Sequence, residues 1–435
     1  MAKFPSKKAV VVGMGYVGIP LACLLAESGR RVVGIDKIPE RVKLLNRGEY
    51  PMKGREPDLP ELLKLQVATK RLSATTKYSE CRDADAVFVC IDTPIDGNHL
   101  PRYDHILQAI GKIGENIRAG TLVVVESTIA PGTMREKVLP TLEKKSGLRA
   151  GKNLYLAHCP ERVMSGRLLR NLTTLDRVLG GLDARSSEIA AEWYSPIMQG
   201  KIHITDMTSA EVVKTAENAY RDTEIAFANE VGLICESLGL DAYEVRKLVN
   251  TCPGRDMLMP GAGVGGHCLP KDPWLLVYGG RKAKPKLIPM ARQVNDSMPL
   301  HVAGMVDRAI ERTKLERSRK TTIVIFGLSF LEDTDDARNS PSKALLEELR
   351  KKYTVLGHDP YVREFEGVRI LGNVDSALRS ADCAVFMTRH REYLDLTIKD
   401  IARKMRHSVV IDGRNIFDQR KARSAFLFYA GVGKG

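Results

Sequence analysis

Residues 8–36, KAVVVGMGYVGIPLACLLAESGRRVVGID, constrain the fold more than any other stretch of this 435-residue chain. Ala9–Val12 is an apolar β-rich run, Gly13–Gly18 reads GMGYVG, and Ile19–Ser28 suits a buried helix. Arg31–Ile35 is a second β-rich run ending in Asp36. Strand, glycine turn, helix and strand in that order commit the region to a parallel, doubly wound sheet. Gly13 serves the tight turn, Gly15 lets the backbone approach a pyrophosphate, and Gly18 lets helix and strand pack closely. The helix N-terminus then meets the phosphates. Tyr16 and Val17 complete the turn and are counted with the cofactor site, as is Arg41 further on. A carboxylate at Asp36, eighteen residues after the last glycine, accepts ribose hydroxyls and repels a 2′-phosphate. The expected cofactor is therefore NAD rather than NADP, a preference that Lys37 softens slightly.

Ala9–Ala26 carries no charge over 18 residues and follows Lys7 and Lys8, which is also the pattern of a signal peptide or membrane span. The glycines at 13, 15 and 18 and Pro20 argue for strand, turn and helix instead, so no membrane partner is expected. The balance of 67 basic against 53 acidic residues gives +14 without a block of five or six like charges. That suits attraction of anionic small molecules. Nucleic acid would need clustered basic residues with interleaved aromatics, and aromatics are 6% of the chain. Eight cysteines (23, 81, 90, 159, 235, 252, 268 and 383) are scattered, with no CxxC and no metal-ligand spacing. A reducing, cytoplasmic setting and no metal are expected.

Further strands are expected at Ala86–Ile91, running into Asp92-Thr93-Pro94, and at Thr121–Val125, running into Glu126-Ser127-Thr128. Both place a threonine, Thr93 or Thr128, at the carboxyl end of a strand, where open α/β sheets bind ligands. Leu154–Ala157 leads into HCPERV (His158–Val163), and Arg177–Gly180 and Lys201–Ile204 complete a dinucleotide-binding domain over 1–205. Ser209–Leu238 reads as one long helix, roughly 45 Å at 1.5 Å per residue. Lys214, Asn218 and Arg221 share one face of it. Helix continues in pieces to about Thr313, giving a central domain over 206–313.

The remainder, 314–435, repeats the plan of the first domain. TTIVIFG (Thr321–Gly327) mirrors KAVVVGMG, YTVLGHDP (Tyr353–Pro360) mirrors RRVVGIDK, and ADCAVFMT (Ala381–Thr388) and SVVIDGR (Ser408–Arg414) mirror the next two strands. The GxGxxG turn is missing, so a different ligand, another nucleotide diphosphate, is expected, with Arg338 and Arg414 as candidate charge partners. The fold class is α/β: two Rossmann-like doubly wound domains joined by a central long-helix domain.

The chemistry points to Gly261–Trp274, GAGVGGHCLPKDPW. Four glycines in the seven residues before Cys268 let the backbone approach a ligand, and Pro270, Lys271 and Asp272 follow at once. A thiol becomes a useful nucleophile where a cation or helix N-terminus favours the thiolate, and His267 and Lys271 flank this one.

With GMGYVG, DTP, EST with Pro131-Gly132, PERV, the KxxxN helix, GVGGHCLPKD, GLSF…DDARNSP and DGRN in place, the chain resembles the UDP-glucose/GDP-mannose 6-dehydrogenase family from Lys8 to about Phe417. The resemblance implies oxidation of a sugar C6 alcohol to a carboxylate with two NAD+, Cys268 adding to the intermediate aldehyde as a thiohemiacetal and then carrying a thioester. It also implies that Lys214 and Asn218 flank the C6 oxygen, Lys214 stabilising oxyanion charge. Asp272 assists a water or Lys214 as acid or base, while Glu161 and Thr128 position the hydrolytic water or the nicotinamide. Arg162, Val163, Arg221, Arg255, Gly265, Phe330, Arg338 and Arg414 line the substrate site. A neighbouring subunit completes the pocket, with the long helix at the interface of a homodimer or higher homo-oligomer.

CPERV, NAYRD and HCLPKDPW resemble the branch acting on UDP-N-acetyl-D-mannosamine more than the UDP-glucose branch; UDP-N-acetylglucosamine or UDP-glucose is the alternative substrate. Ser165, Leu331 (a usual lysine) and the CPGRD run Cys252–Asp256 depart from the family pattern and bear on substrate identity. Two other readings share parts of this plan, a two-electron hydroxyacid dehydrogenase and a non-catalytic NAD-binding protein. The cysteine and the second nucleotide-type domain count against the first, and intact Cys268, Lys214, Asn218 and Asp272 against the second.

Overall fold

The structure, a computed structural model, describes residues 7–52, 56–163, 166–318 and 320–435. Ser165 lies outside the described residues. The first unit runs to Glu217 and takes in Trp274–Lys284; the second comprises Asn218–Pro273 and Pro285–Gly435. The segment 206–313, expected as a central domain, is thus divided between the two.

The first unit is built on an eight-stranded sheet: β1 (Lys8–Val12), β2 (Arg31–Ile35), β3 (Leu72–Thr75), β4 (Ala86–Val89), β5 (Leu122–Val125), β6 (Tyr155–His158), β7 (Arg177–Gly181) and β8 (Ile202–Asp206). Their order in space is β3-β2-β1-β4-β5-β6-β7-β8, and all neighbours are parallel except β6 and β7. The pleat explains why the central strands are apolar throughout. Ala9 and Val11 enter the core on one face, with Ala86 and Phe88 beside them; Val10 and Val12, with Val87 and Val89, enter the core on the other. Strands buried on both faces have no polar side to show. The uncharged stretch behind Lys8 is therefore β1 and the helix Gly18–Glu27, in which every residue but Glu27 is buried. Among the described residues no helix is long and apolar enough to cross a membrane.

The second unit repeats the logic with β9 (Thr322–Phe326), β10 (Thr354–His358), β11 (Cys383–Phe386), β12 (Val409–Asp412) and β13 (Phe428–Gly431), ordered β10-β9-β11-β12-β13 and all parallel. This is the order of β2-β1-β4-β5-β6 in the first sheet. Ile323 and Ile325 face one core, Val324 and Phe326 the other.

The long helix spans Met207–Leu238, 32 residues, and its second-unit part packs on the helix Leu287–Arg312 through a buried polar ladder. Arg292, 1% exposed, donates to Asp222 at 2.5 Å, Asn295 donates to the same carboxylate at 2.8 Å, and Asn229 donates to Asn295 at 2.9 Å. Breaking one partner of such a set would strand a buried charge at a cost of about 3–5 kcal/mol.

Candidate active site

In the first unit the glycine turn follows β1, and its geometry demands glycine. Gly13 has φ +96°, and a Cβ on Gly18 would lie 2.0 Å from the Gly13 carbonyl oxygen. At Gly15, by contrast, a Cβ would meet nothing within 4 Å, so the turn is open where a pyrophosphate would approach. Asp36 stands at the end of β2. Its Oδ2 accepts from Met14 N at 3.0 Å and Arg41 Nη1 at 2.9 Å, its Oδ1 from Ile38 N at 3.0 Å, and 6% of the residue remains exposed. Arg41 therefore reaches the site through Asp36. Val17 caps the helix start, and Tyr16 packs against the core beside it. These residues fit a dinucleotide with a free ribose 2′-hydroxyl.

The two threonine loops are tied together. Thr93, 2% exposed, donates its hydroxyl to the carbonyl of Thr128, so it supports the second loop from behind and leaves Thr128 half-buried at the surface. Beneath lies a set that local sequence pattern did not single out. Glu126, fully buried, accepts from Arg177 Nη1 at 3.2 Å and from the Tyr194 hydroxyl at 2.5 Å. Burial raises the Glu126 carboxyl although Arg177 pulls it down. Glu211 on the long helix does the same work on the following loop, its two oxygens accepting Gly132 N and Met134 N at 2.7 Å each.

Glu161 accepts from Val163 N at 2.5 Å, curling the PERV segment on itself. Arg162 donates to Glu217 on the long helix and to the Asp176 carbonyl at 3.0 Å, so its charge is already paired within the unit. Lys214, one helical turn before Asn218 along the same helix, is 6% exposed. After the cysteine segment Trp274 stacks on His99 with ring centroids 4.0 Å apart.

In the second unit the cysteine turn is held from several sides. Asn229 accepts from Gly261 N at 2.8 Å; Arg414 donates to the Gly263 carbonyl at 2.9 Å and to the Met387 carbonyl at 2.9 Å. Gly266 N donates to the Arg338 carbonyl at 2.9 Å, and Asn339 returns a bond to the Gly266 carbonyl at 3.0 Å. Phe330 lies directly on the turn: a Cβ on Gly265 would meet its Cβ at 2.5 Å, and one on Gly266 its ring at 2.8 Å. Cys268, partly exposed, accepts at its carbonyl from Lys271 N at 3.0 Å and Asp272 N at 2.8 Å. Asp272 is 1% exposed. Its Oδ2 accepts from Asn218 Nδ2 at 2.6 Å, and its Oδ1 lies 3.1 Å from Lys271 Nζ. The structure thus joins Asn218, Asp272 and the Cys268 turn, as the sequence suggests.

Arg414 is half-buried and bound to carbonyls, which makes it an anchor of the cysteine turn. Arg338 forms a fork on Asp336, with bonds of 2.8 and 2.5 Å, and Arg221 pairs with Glu224 at 3.7 Å. Arg255 sits in the exposed run 251–256, its guanidinium 3.5 Å from the Gly254 carbonyl. Leu331 is 37% exposed.

Family models match three consecutive parts of the chain: the NAD binding domain of the UDP-glucose/GDP-mannose dehydrogenase family at residues 7–198, its central domain at 208–297 and its UDP binding domain at 324–419. The chain is 37% identical over 429 residues to a UDP-N-acetyl-D-mannosamine dehydrogenase of Pyrococcus horikoshii, covering 98% of this chain and 99% of that one. It is 35% identical over 423 residues to an NDP-N-acetyl-D-galactosaminuronic acid dehydrogenase of Ralstonia nicotianae, covering 94% and 96%. Among solved structures, the Pyrococcus horikoshii UDP-D-ManNAc dehydrogenase superposes with a TM-score of 0.91 over 98% of this chain and 99% of that one at 37% identity. An NDP-N-acetyl-D-galactosaminuronic acid dehydrogenase from Methanosarcina mazei gives 0.88 over 99% and 96% at 38% identity. With a dinucleotide turn open at Gly15, a second parallel domain without that turn and a full-length match, the chain is an NAD-dependent nucleotide-sugar dehydrogenase and belongs to the UDP-glucose/GDP-mannose dehydrogenase family.

Proposed function

We propose that this enzyme oxidises C6 of UDP-N-acetyl-D-mannosamine to the uronate in a four-electron reaction with Cys268 as covalent nucleophile. The observation that carries the reading is the joined set of Asn218, Asp272 and the Cys268 turn, with Asp272 1% exposed and Cys268 partly exposed. The likeness to UDP-N-acetyl-D-mannosamine dehydrogenases supports the sugar.

Bound NAD+ supplies the hydride acceptor, once for each two-electron step, and the second domain takes the UDP. Lys214, nearly buried, stabilises the oxygen of the C6 alcohol as its proton leaves and later the oxyanion at the same atom. The Cys268 thiolate adds to the aldehyde carbon, making a thiohemiacetal that can release a second hydride and become a thioester. Asp272, oriented by the Asn218 amide, accepts a proton from the water that attacks the thioester carbonyl, and the thiolate leaves. The sum is one alcohol, two NAD+ and one water giving one carboxylate, two NADH and three protons.

The long helix supports a homodimer. Tyr220, Phe227 and Ile234 recur every seven residues and are 67%, 58% and 51% exposed, an apolar stripe suited to a second copy. All eight cysteines are free, which supports a reducing, cytoplasmic setting. The exposed run Cys252–Asp256 departs from the family pattern, so UDP-N-acetylglucosamine and UDP-glucose are the competing substrates.

The test is NADH counted per sugar with the three UDP-sugars side by side, together with intact-protein mass of Cys268→Ser. Two NADH per sugar, with fastest turnover on UDP-N-acetyl-D-mannosamine, is expected. The serine variant should retain sugar as a slowly hydrolysed ester. One NADH per sugar, or two at near wild-type rate from Cys268→Ala, would overturn the covalent reading.

A further inference from the structure

We propose that His390 is a positioning residue for the nucleophile: it holds the loop Leu328–Asn339 in the shape that seats Phe330 against the cysteine turn. This rests on the reading of Cys268 as nucleophile. His390 follows β11 and is fully buried. Its Nδ1 accepts the backbone N–H of Asp333 at 2.9 Å, so that nitrogen carries no proton and the ring is the neutral tautomer protonated at Nε2. The Nε2–H points at Asp359 Oδ2, 3.1 Å away, with Ser329 Oγ at 3.2 Å. The Ser329 hydroxyl donates onward to the Leu331 carbonyl at 3.0 Å. One imidazole therefore grips the loop at residues 329 and 333, and Phe330 stands between them.

Asp359 shows why this arrangement belongs to the second domain alone. It sits just past β10, where Asp36 sits just past β2. Asp36 is 6% exposed; Asp359, at 1%, takes Leu328 N at 2.7 Å, Ser329 N at 3.0 Å, Tyr361 N at 2.8 Å, Val362 N at 2.9 Å and the His390 ring. Burial pushes its carboxyl up, but the hydrogen bonds it accepts, from His390 first and then from the backbone, hold it below the usual carboxylate range. The carboxylate is committed to the loop. From the loop the path is short: Phe330 meets Gly265 and Gly266, and Cys268 is two residues further.

The two ring nitrogens can be tested apart. His390→Ala removes both contacts, and His390→Asn offers an oxygen acceptor for Asp333 N while placing no donor at the Nε2 position. In His390→Ala, kcat should fall about 10- to 100-fold, the scale of a misplaced reactive group, with KM for NAD+ unchanged. Alkylation of Cys268 by iodoacetamide, read by peptide mass against the exposed Cys252, should change rate several-fold in the same variant. His390→Asn should recover part of both. Wild-type kcat and wild-type Cys268 alkylation in His390→Ala would overturn the proposal. So would a kcat loss matched by lost NAD+ binding and a lowered melting temperature in both variants, which marks a merely structural role. If His390→Ala does not fold, His390→Asn carries the same two readouts. Cys268→Ala run in parallel separates the two readings, since full turnover there defeats the nucleophile assignment whatever His390 does.

Discussion

Glu211 offers the sharpest check on the physical reasoning. It lies on the long helix, fully buried, and its two carboxylate oxygens each accept one backbone N–H, from Gly132 and Met134, at 2.7 Å. Burial and the two donors pull its titration in opposite directions; burial is the larger and raises the carboxyl from 4.5 to about 7. A raised native pKa means the folded state binds the proton more tightly than the unfolded chain. The group's stabilisation is then complete below the unfolded value and is lost as pH rises through the folded one. At 1.36 kcal/mol per pH unit, the interval from 4.5 to about 7 amounts to about 3 kcal/mol. Glu211→Gln does not titrate, and its single carbonyl leaves one of the two N–H groups unpaired at a pH-independent cost of about 1–3 kcal/mol. Protonated Glu211 likewise offers a single carbonyl, so the two proteins should be of similar stability near pH 5, and wild type should lose about 2.5 kcal/mol relative to the variant by pH 8. Urea unfolding of both proteins across that range, followed by tryptophan fluorescence, measures it. A stability difference that stays flat with pH would refute the reasoning, because it would mean the two N–H donors keep Glu211 ionised throughout.

Two further outcomes are expected. Asp36→Ala should weaken NAD+ binding by about 1–3 kcal/mol, roughly 5- to 150-fold, and should narrow the gap to NADP+, since Arg41 is released from its 2.9 Å pairing to meet a 2′-phosphate; faster wild-type turnover with NADP+ would show the Asp36 reading to be wrong. Phe227→Glu places a charge in the middle of the exposed stripe and should leave a monomer by sedimentation velocity, whereas an unchanged dimer would put the interface elsewhere.

The architecture was legible because the two nucleotide-type domains announce themselves through strands buried on both faces. β2 runs over Arg31–Ile35 as its β-branched pattern predicts, and the long helix begins at Met207, two residues before Ser209. β3 and β13 were not visible: Leu72–Thr75 has one fully buried residue, and Phe428–Gly431 alternates between buried and half-buried with a glycine at its end. The glycines, Asp36, Asn218, Asp272 and Cys268 could be read as a site because each is a residue type with a stated demand. Arg177, Glu211 and His390 could not. Arg177 meets Glu126 across 51 residues, Glu211 meets Gly132 across 79 and His390 meets Asp333 across 57, and no local period encodes such pairings. The resemblance puts Arg162 in the substrate site and charge makes Arg414 a candidate for the diphosphate; neither expectation carries the protein partners that the structure gives them, a carboxylate on the long helix for Arg162 and backbone carbonyls for Arg414.

A stretch with four glycines ahead of its cysteine invites the expectation of a floppy hinge. Here the opposite follows. Glycine loses the most backbone entropy on ordering, and the bonds from Asn229, Arg338, Asn339 and Arg414, with Phe330 closing over Gly265 and Gly266, oppose that loss at every second or third residue. The absent side chains are the room into which the neighbours fit, so the cysteine stands on a ledge fastened from several sides.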